Sequence, residues 1–502
     1  WPHGPAATTV VCERLFHPDE QARPGFDPSD AADFWDLVNR QDWAMCESVQ
    51  RGMSSRAYTG GWFAPMEEPS LDIRPLRPRP PGRGRGAGGG AVTSQDGAAS
   101  GPGQRGRTAP GRGEAFRHDW DVVVVGLGAL GSAAAWALAR AGARVLGLEQ
   151  FELGHHRGAS HDHARIIRRS YHTPGYVRLA GLAYAAWAEL EWEAEERLVV
   201  TTGGLDLFPA GSAIPPGPYR ASLEACGVPH QWLDAAEVMR RWPAFRLDAD
   251  VGGLWQADGG IVPAARGTQL LQRLATGYGA TLLDQAPVTA VHDLGASVEV
   301  VTAGATFRAA RLLVCADAWT RELVAQLGAE LPLVVTQEQF SYYRPADPGA
   351  FAVGRFPVWI WMDDPSFYGF PVWPGAALKA AQDVGGAEVT ATSRSFDPDP
   401  AAAGRLAGFL RSRLPAAAGT HDHSATCLYT LTPDRDFVLG PLPGHDRVLV
   451  ALGAAHGFKF APLLGRVLAD LALHDGTDVD ITPFAVDRPA LTAPDPRANY
   501  LV

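Results

Sequence analysis

From Asp119 onward short apolar runs alternate with stretches of helical spacing, and the clearest run comes first. The segment DVVVVG, Asp121 to Gly126, is apolar at every position from Val122 to Val125. That is the pattern of a parallel strand covered on both faces rather than of a half-exposed one. Ser132 to Ala141 is rich in alanine and reads as a helix. The segment RVLGLE, Arg144 to Glu149, reads as a second parallel strand ending on an acid. Strands and helices keep alternating to about Leu491, which predicts an α/β domain. Before Asp119 the pattern is weaker. Asp30 is placed to cap a helix through Ala31, Phe34, Trp35, Leu37 and Val38, and a second helical stretch covers Trp43 to Met53. Between Pro75 and about Arg117 the periodicity vanishes into proline, glycine and arginine with almost no large apolar residue. Such a segment cannot bury enough surface to offset its chain entropy, and it reads as a disordered linker. Its arginines could meet RNA or an acidic surface, but a solvated spacer is the simpler reading.

The turn that joins the first strand to the first helix carries chemistry. It reads GLGALG, Gly126 to Gly131. Gly126 permits the tight turn, Gly128 lets a pyrophosphate approach the backbone, and Gly131 lets helix and strand pack closely. The helix N-terminus offers free N–H groups and a partial positive charge to phosphates. Glu149 can accept hydrogen bonds from ribose hydroxyls. Strand, glycines, helix, second strand and terminal acid stand in order, so the pattern points to a dinucleotide site, against a Rossmann-like unit that binds none. FAD and NAD are not separated by it.

Composition narrows the classes. Hydrophobic residues make up 46% of the 502, enough for a large core, and the formal net charge is −11. An acidic balance argues against a general binder of nucleic acid or of anionic membranes. The five cysteines (Cys12, Cys46, Cys226, Cys315, Cys427) have no CxxC and no framework spacing, which fits a reducing cytoplasm. No apolar run approaches the ~20 residues of a membrane helix, and no signal peptide stands at the start, which is Trp1 rather than Met.

The residues after Glu149 carry a family resemblance. GHHRGASHDHARIIR, Gly154 to Arg168, resembles the GSSHG…RIIR loop of the monomeric sarcosine oxidase and N-methyltryptophan oxidase family. Further matches follow in the same order. Tyr368-Gly-Phe-Pro with Leu378 and Lys379 resembles its YGFP…LK segment, and CLYT at Cys427 with PDRDF at Pro433 resembles its CxYT…DxxF segment. GAAHGFKF from Gly453 resembles its SGHGFKF loop, and DITPF from Asp480 with Arg488-Pro resembles its closing pattern. The resemblance implies an α/β chain, α+β overall: a Rossmann-like FAD-binding domain with an inserted mixed-sheet substrate domain of the D-amino-acid-oxidase/sarcosine-oxidase type. On this chain the FAD-binding domain is expected at 119–203, 258–335 and 425–491, and the substrate domain at 204–257 and 336–424.

The family also implies roles. A buried substrate carboxylate needs paired positive charge; Arg168 would grip it bidentately and Lys459 would add a point charge. Arg168 could instead be a phosphate or surface arginine. Cys427 resembles the cysteine joined to the flavin ring by a thioether, a reaction that needs a thiolate and hence a lowered thiol pKa; otherwise it is a small buried hydrophobe. Lys379 aligns with the lysine proposed to activate oxygen near flavin N5, where a fixed positive charge stabilises nascent superoxide; otherwise it is a solvated strand lysine. His456 and Tyr368 resemble residues lining the active site, Arg165 one stacked near the flavin face, and Ser160 lies in the cofactor loop. The implied reaction is oxidation of a secondary, N-methyl amino acid such as sarcosine by oxygen. An imine hydrolyses to the demethylated amine and formaldehyde, and hydrogen peroxide forms. Other FAD-dependent amino-acid oxidases or dehydrogenases, and a flavin-binding module without activity, are the alternatives. Expected partners are the amino acid and oxygen, with no nucleic acid and no membrane, for a cytoplasmic monomer.

The departures are specific. Asp383 stands where the family has a histidine, four residues after the lysine. Asp162 replaces the glycine of GSSHG, Ala159 precedes Ser160, and Asp317-Ala-Trp319 stands for GAW. Asp383 would favour a more basic amine or face solvent. The groups His155, His156, His161, His163 and His421, His423, Cys427 fit no standard ligand spacing, so no metal is expected. In residues 1–73, Phe16-His-Pro-Asp, FWDLVNRQDW from Phe34 and CESVQRGMSS from Cys46 resemble the C-terminal end of a Rieske-type oxygenase α subunit acting on quaternary amines, with Asp42 at its iron carboxylate. The matching histidines and cluster ligands are absent from this sequence, so no iron and no oxygenase activity are expected from it. Betaine demethylation leads toward sarcosine, a contextual hint to N-methylglycine substrates. The linker is expected at 74–118.

Overall fold

The computed structural model describes residues 2–4, 7–8, 119–375, 377–494, 496, 498 and 499. The chain divides into two compact units, Trp1–Pro110 and Gly111–Val502. In the first, Pro2–Gly4 pairs antiparallel with Ala7–Thr8. The expected helices after Asp30 and Trp43, the site at Asp42 and the linker all lie outside the described residues. No helix among the described residues is long and apolar enough to cross a membrane.

The second unit is built on two large sheets. The valine run forms the strand Trp120–Val125, at the centre of an eight-stranded sheet. It pairs in parallel with Val145–Leu148 on one side and with Thr306–Val314 on the other. Thr281–Leu283 and His445–Leu452 extend this parallel core. Burial on both faces follows: Val123 and Val124 are fully inaccessible, under the helices Ala129–Arg140, Ala264–Gly277 and Ala461–His474 and the apolar cluster around Val300 and Leu312. The first helix begins at Ala129, three residues before the predicted start, because Gly128 already has the extended backbone of an N-cap. Its alanines permit close contact with the helix Ala461–His474, where a Cβ on Gly465 would stand 2.4 Å from the Ala133 carbonyl carbon.

The nine-stranded sheet holds Gly204–Phe208, Gln231–Leu233, Gly252–Gln256, Val334–Arg344, Val358–Trp361, Ser366–Val372, Leu378–Asp383, Ala387–Glu388 and Thr420–Leu431. The expected segment boundaries at 335/336 and 424/425 fall inside strands. Val334–Arg344 and Thr420–Leu431 pair along their whole lengths, and both belong to this sheet. Register sets what one face carries. Tyr368 is opposite Ala381, Ala381 opposite Phe340, and Phe340 opposite Ala425. Lys379 is opposite Tyr342, and Glu338 opposite Cys427. Since side chains alternate, Lys379, Ala381 and Asp383 share a face with Tyr342, Phe340, Cys427, Tyr429 and Tyr368. A three-stranded sheet of Arg165–Ile167, Gly260–Val262 and Val200–Thr201 carries Arg165.

Candidate active site

One cavity runs from the glycine turn to the substrate-side sheet. Gly126, Gly128, Glu149 and Ser160 line one part of it, and Arg165, Tyr368, Lys379, Cys427 and Tyr429 line another. Gly126 has φ +90°, and a Cβ there would meet the Cys315 carbonyl oxygen at 2.5 Å. A Cβ on Gly131 would stand 1.8 Å from the Gly126 carbonyl oxygen. Replacing Gly131 with Ala is therefore expected to cost about 3 kcal/mol of stability and to release the cofactor, as checked by melting temperature and flavin absorbance. Gly128 has no unusual φ; a Cβ on it would press on Ser160 Oγ at 3.1 Å. The Ala129 amide donates to that same Oγ at 2.9 Å, so Ser160 ties the loop to the helix start. Glu149 accepts from the amides of Leu127 (2.9 Å) and Phe151 (3.2 Å) and lies 3.4 Å from His155 Nε2. Burial works against its carboxylate, but His155 and the Leu127 amide outweigh it and hold the pKa below the usual range. Glycines that admit no Cβ, a helix N-terminus without acid in its first turn, and an ionised acid at the next strand fit a bound dinucleotide.

At the other part the cavity meets a buried cation. Lys379 is 2% exposed and donates to Asp162 and, at 3.1 Å, to the Ala164 carbonyl. Its ammonium lies 4.4 Å from the Phe340 ring centre and 5.3 Å from that of Phe370. Burial pulls its pKa down to about 8 although Asp162 opposes the fall. Arg165 donates at 2.9 Å to the carbonyls of Ala159, Ala164 and His161, which holds the loop around itself. The sequence reading requires a lowered thiol pKa at Cys427; the structure gives the opposite direction. Burial pushes the thiol up to about 11, and Arg165 and Lys379 recover only part of the shift.

The remaining expected residues form a second group that is not part of the cavity lining. Arg168 lies 3.4 Å from Asp206, and its guanidinium is 5.0 Å from the Tyr171 ring centre. Lys459 Nζ is 5.9 Å from the same ring and donates to the His456 carbonyl at 3.1 Å. Burial, then Arg168, bring the Lys459 pKa down to about 7. His456 Nε2 sits 2.8 Å from the Arg435 carbonyl, which makes it the donor. Burial holds the His456 ring neutral, and its Nδ1 is buried without a hydrogen-bond partner. The Arg165 charge lowers the pKa of both Lys379 and Lys459. Asp383 is 24% exposed and pairs with Arg435 at 3.3 Å, rather than simply facing solvent.

Sequence reasoning passed over Asp206 and Arg435 as partners and treated Asp162 only as a departure. The one available signal was an acid at a glycine position, Asp162. His155 is committed to Glu149, and His423 stacks on Tyr342 at 4.7 Å, so these histidines have structural work of their own.

Comparison with known proteins follows the same division. The family described as FAD dependent oxidoreductase matches residues 121–471. The family described as ring hydroxylating alpha subunit (catalytic domain) matches residues 1–72. Monomeric sarcosine oxidase of Streptomyces avermitilis is 35% identical over 362 residues, 70% of this chain and 94% of that protein. N-methyl-L-tryptophan oxidase of Salmonella heidelberg is 33% identical over 375 residues, 74% of this chain and 99% of that one. Among solved structures, NikD, "an unusual amino acid oxidase essential for nikkomycin biosynthesis", superposes with a TM-score of 0.67 at 31% identity, covering 73% of this chain and 97% of that chain.

Proposed function

Because the chain belongs to the FAD dependent oxidoreductases, with monomeric sarcosine oxidase and N-methyltryptophan oxidase as homologues, we propose that it oxidises a secondary amino acid carrying an N-methyl group, such as sarcosine. Oxygen is the acceptor, and the products are the demethylated amine, formaldehyde and hydrogen peroxide. The observation that carries this reading is a cavity with a glycine cradle for the dinucleotide in one part and a buried lysine in the other. FAD, when bound, supplies the two-electron chemistry.

The chain's own residues supply position and charge. Gly126, Gly128, Gly131, Glu149, Ser160 and Arg165 would hold the cofactor. Arg168 and Lys459 would take the substrate carboxylate, with Arg168 shared between it and Asp206. A carboxylate brought against Lys459 favours the charged form of an ammonium that burial has brought to the edge of neutrality. Tyr368 would shape the space for the N-methyl group, and neutral His456 stands in the chain between the lining residues Ala455 and Gly457. Lys379 would present its charge to oxygen where negative charge develops.

A peroxide assay with sarcosine and other N-methyl amino acids tests the reading, with primary and D-amino acids as controls. Peroxide from N-methyl substrates with release of formaldehyde supports it. Yellow protein that makes no peroxide with any of them would leave a flavin-binding module, and preference for a primary or D-amino acid would shift the substrate class. Cys427 is proposed to carry the covalent link; the Arg165 and Lys379 charges that stabilise its thiolate support this, against the burial that disfavours it. Denatured wild-type protein should then retain its yellow colour, and Cys427→Ser should lose it entirely.

A further inference from the structure

We propose that Asp162 is the positioning residue that keeps Lys379 in its charged form beside the cavity, and so sets the pH range of the oxygen half-reaction. The inference rests on the role given to Lys379 above.

Asp162 is placed at a conformational cost. Its φ is +80°, the left-handed region where side chains are disfavoured, though Asp and Asn tolerate it better than most. What that placement achieves is electrostatic. Its side chain is 7% exposed, forms an ion pair with Lys379, accepts the Tyr342 hydroxyl at 2.8 Å, and lies 3.7 Å from Arg165. Among the described residues it is the carboxylate within ion-pair distance of Lys379. An ammonium walled in by Phe340 and Phe370, with one carbonyl as its other acceptor and Arg165 nearby, would shed its proton without an anion. Two cations around one carboxylate leave the cluster with net positive charge, and the carboxylate holds part of that charge on Lys379.

The other groups facing the lysine stay fixed through the neutral range. His161, from the same loop as Asp162 and Arg165, is pushed down to about 3 by burial and by Arg165, so it is neutral. Cys427, from Thr420–Leu431, is pushed up to about 11 by burial. Tyr342, from Val334–Arg344, and Tyr368, from Ser366–Val372, are raised well above their usual value by burial. Lys459, at about 7, belongs to the second group outside the cavity lining, and among these groups Lys379 itself, at about 8, is left to titrate. Being cationic below that value, it supports the oxygen half-reaction at lower pH and ceases to as pH rises through it.

The experiment compares holoenzyme of the wild type, Asp162→Asn, Asp162→Gly and Lys379→Met. Asn tolerates the positive φ and Gly removes its cost, so both fold while lacking the charge. Oxygen-dependent reoxidation is followed across the pH range, with reduction by substrate as the control. The visible absorption of the resting, oxidised cofactor is titrated separately, without turnover. In both Asp162 variants the alkaline limb of reoxidation and the spectral transition are expected to move to lower pH by about one unit or more, while Lys379→Met shows neither. A limb and transition that stay in place in Asp162→Asn and Asp162→Gly, with Lys379→Met slow toward oxygen, would overturn the role of Asp162 alone. Reoxidation undiminished in Lys379→Met would remove the reading of the lysine, and this inference with it.

Discussion

Replacing Lys379 with Met is expected to slow the oxygen half-reaction by about 10²–10³-fold, the loss found when one preorganised electrostatic contact to a developing anion is removed. The substrate half-reaction should change little. Methionine fills a similar volume between Phe340 and Phe370, so packing is largely kept. The cost of the variant is the carboxylate of Asp162, which keeps Tyr342 and Arg165 as partners. Stopped-flow measurement of the two half-reactions separates the effects. Equal slowing of both would refute the assigned role, since a merely structural defect does not distinguish acceptor from donor.

Arg168→Met should act on the other half. Losing a buried charge-assisted contact to the substrate carboxylate costs about 2–4 kcal/mol, which is roughly 30- to 1,000-fold in KM at 1.4 kcal/mol per tenfold. The same substitution strands Asp206, which is 4% exposed and whose pKa burial already raises. Removing one partner of a buried pair destabilises by about 3–5 kcal/mol. The sign with pH follows: without its arginine the Asp206 carboxyl is raised further, so the penalty is largest at neutral pH and shrinks as pH falls into the range where Asp206 takes up a proton. The double variant Arg168→Met with Asp206→Asn should regain most of the stability and none of the substrate affinity. Melting temperature and KM for the same proteins check both halves, and recovery of KM in the double variant would take the substrate carboxylate away from Arg168.

The glycine turn shows how far residue type reaches. Gly126 sits at positive φ, and Gly131 has a carbonyl oxygen where a side chain would begin. Both demands are local, so the spacing of glycines between a valine run and an alanine-rich stretch was legible before any fold was known. The strands and helices of the first sheet were legible in outline for the same reason, while the second, mixed sheet came only with the family resemblance. Its boundaries were not legible: where Val334–Arg344 and Thr420–Leu431 stop depends on how far the two strands keep pairing with each other. The ordered motifs from Gly154 to Arg488 brought the family and its candidate residues with them.

Charge balance at the site belongs to tertiary structure. Asp206 lies 38 residues from Arg168, Asp383 lies 52 from Arg435, and Asp162 lies 217 from Lys379. Nothing in the spacing of those residues says that they meet. A strand, a turn or a helix cap depends on neighbours along the chain, and amino-acid order states those neighbours directly. The protonation of a buried lysine depends instead on which carboxylate the fold brings within a few ångströms and how much water it excludes.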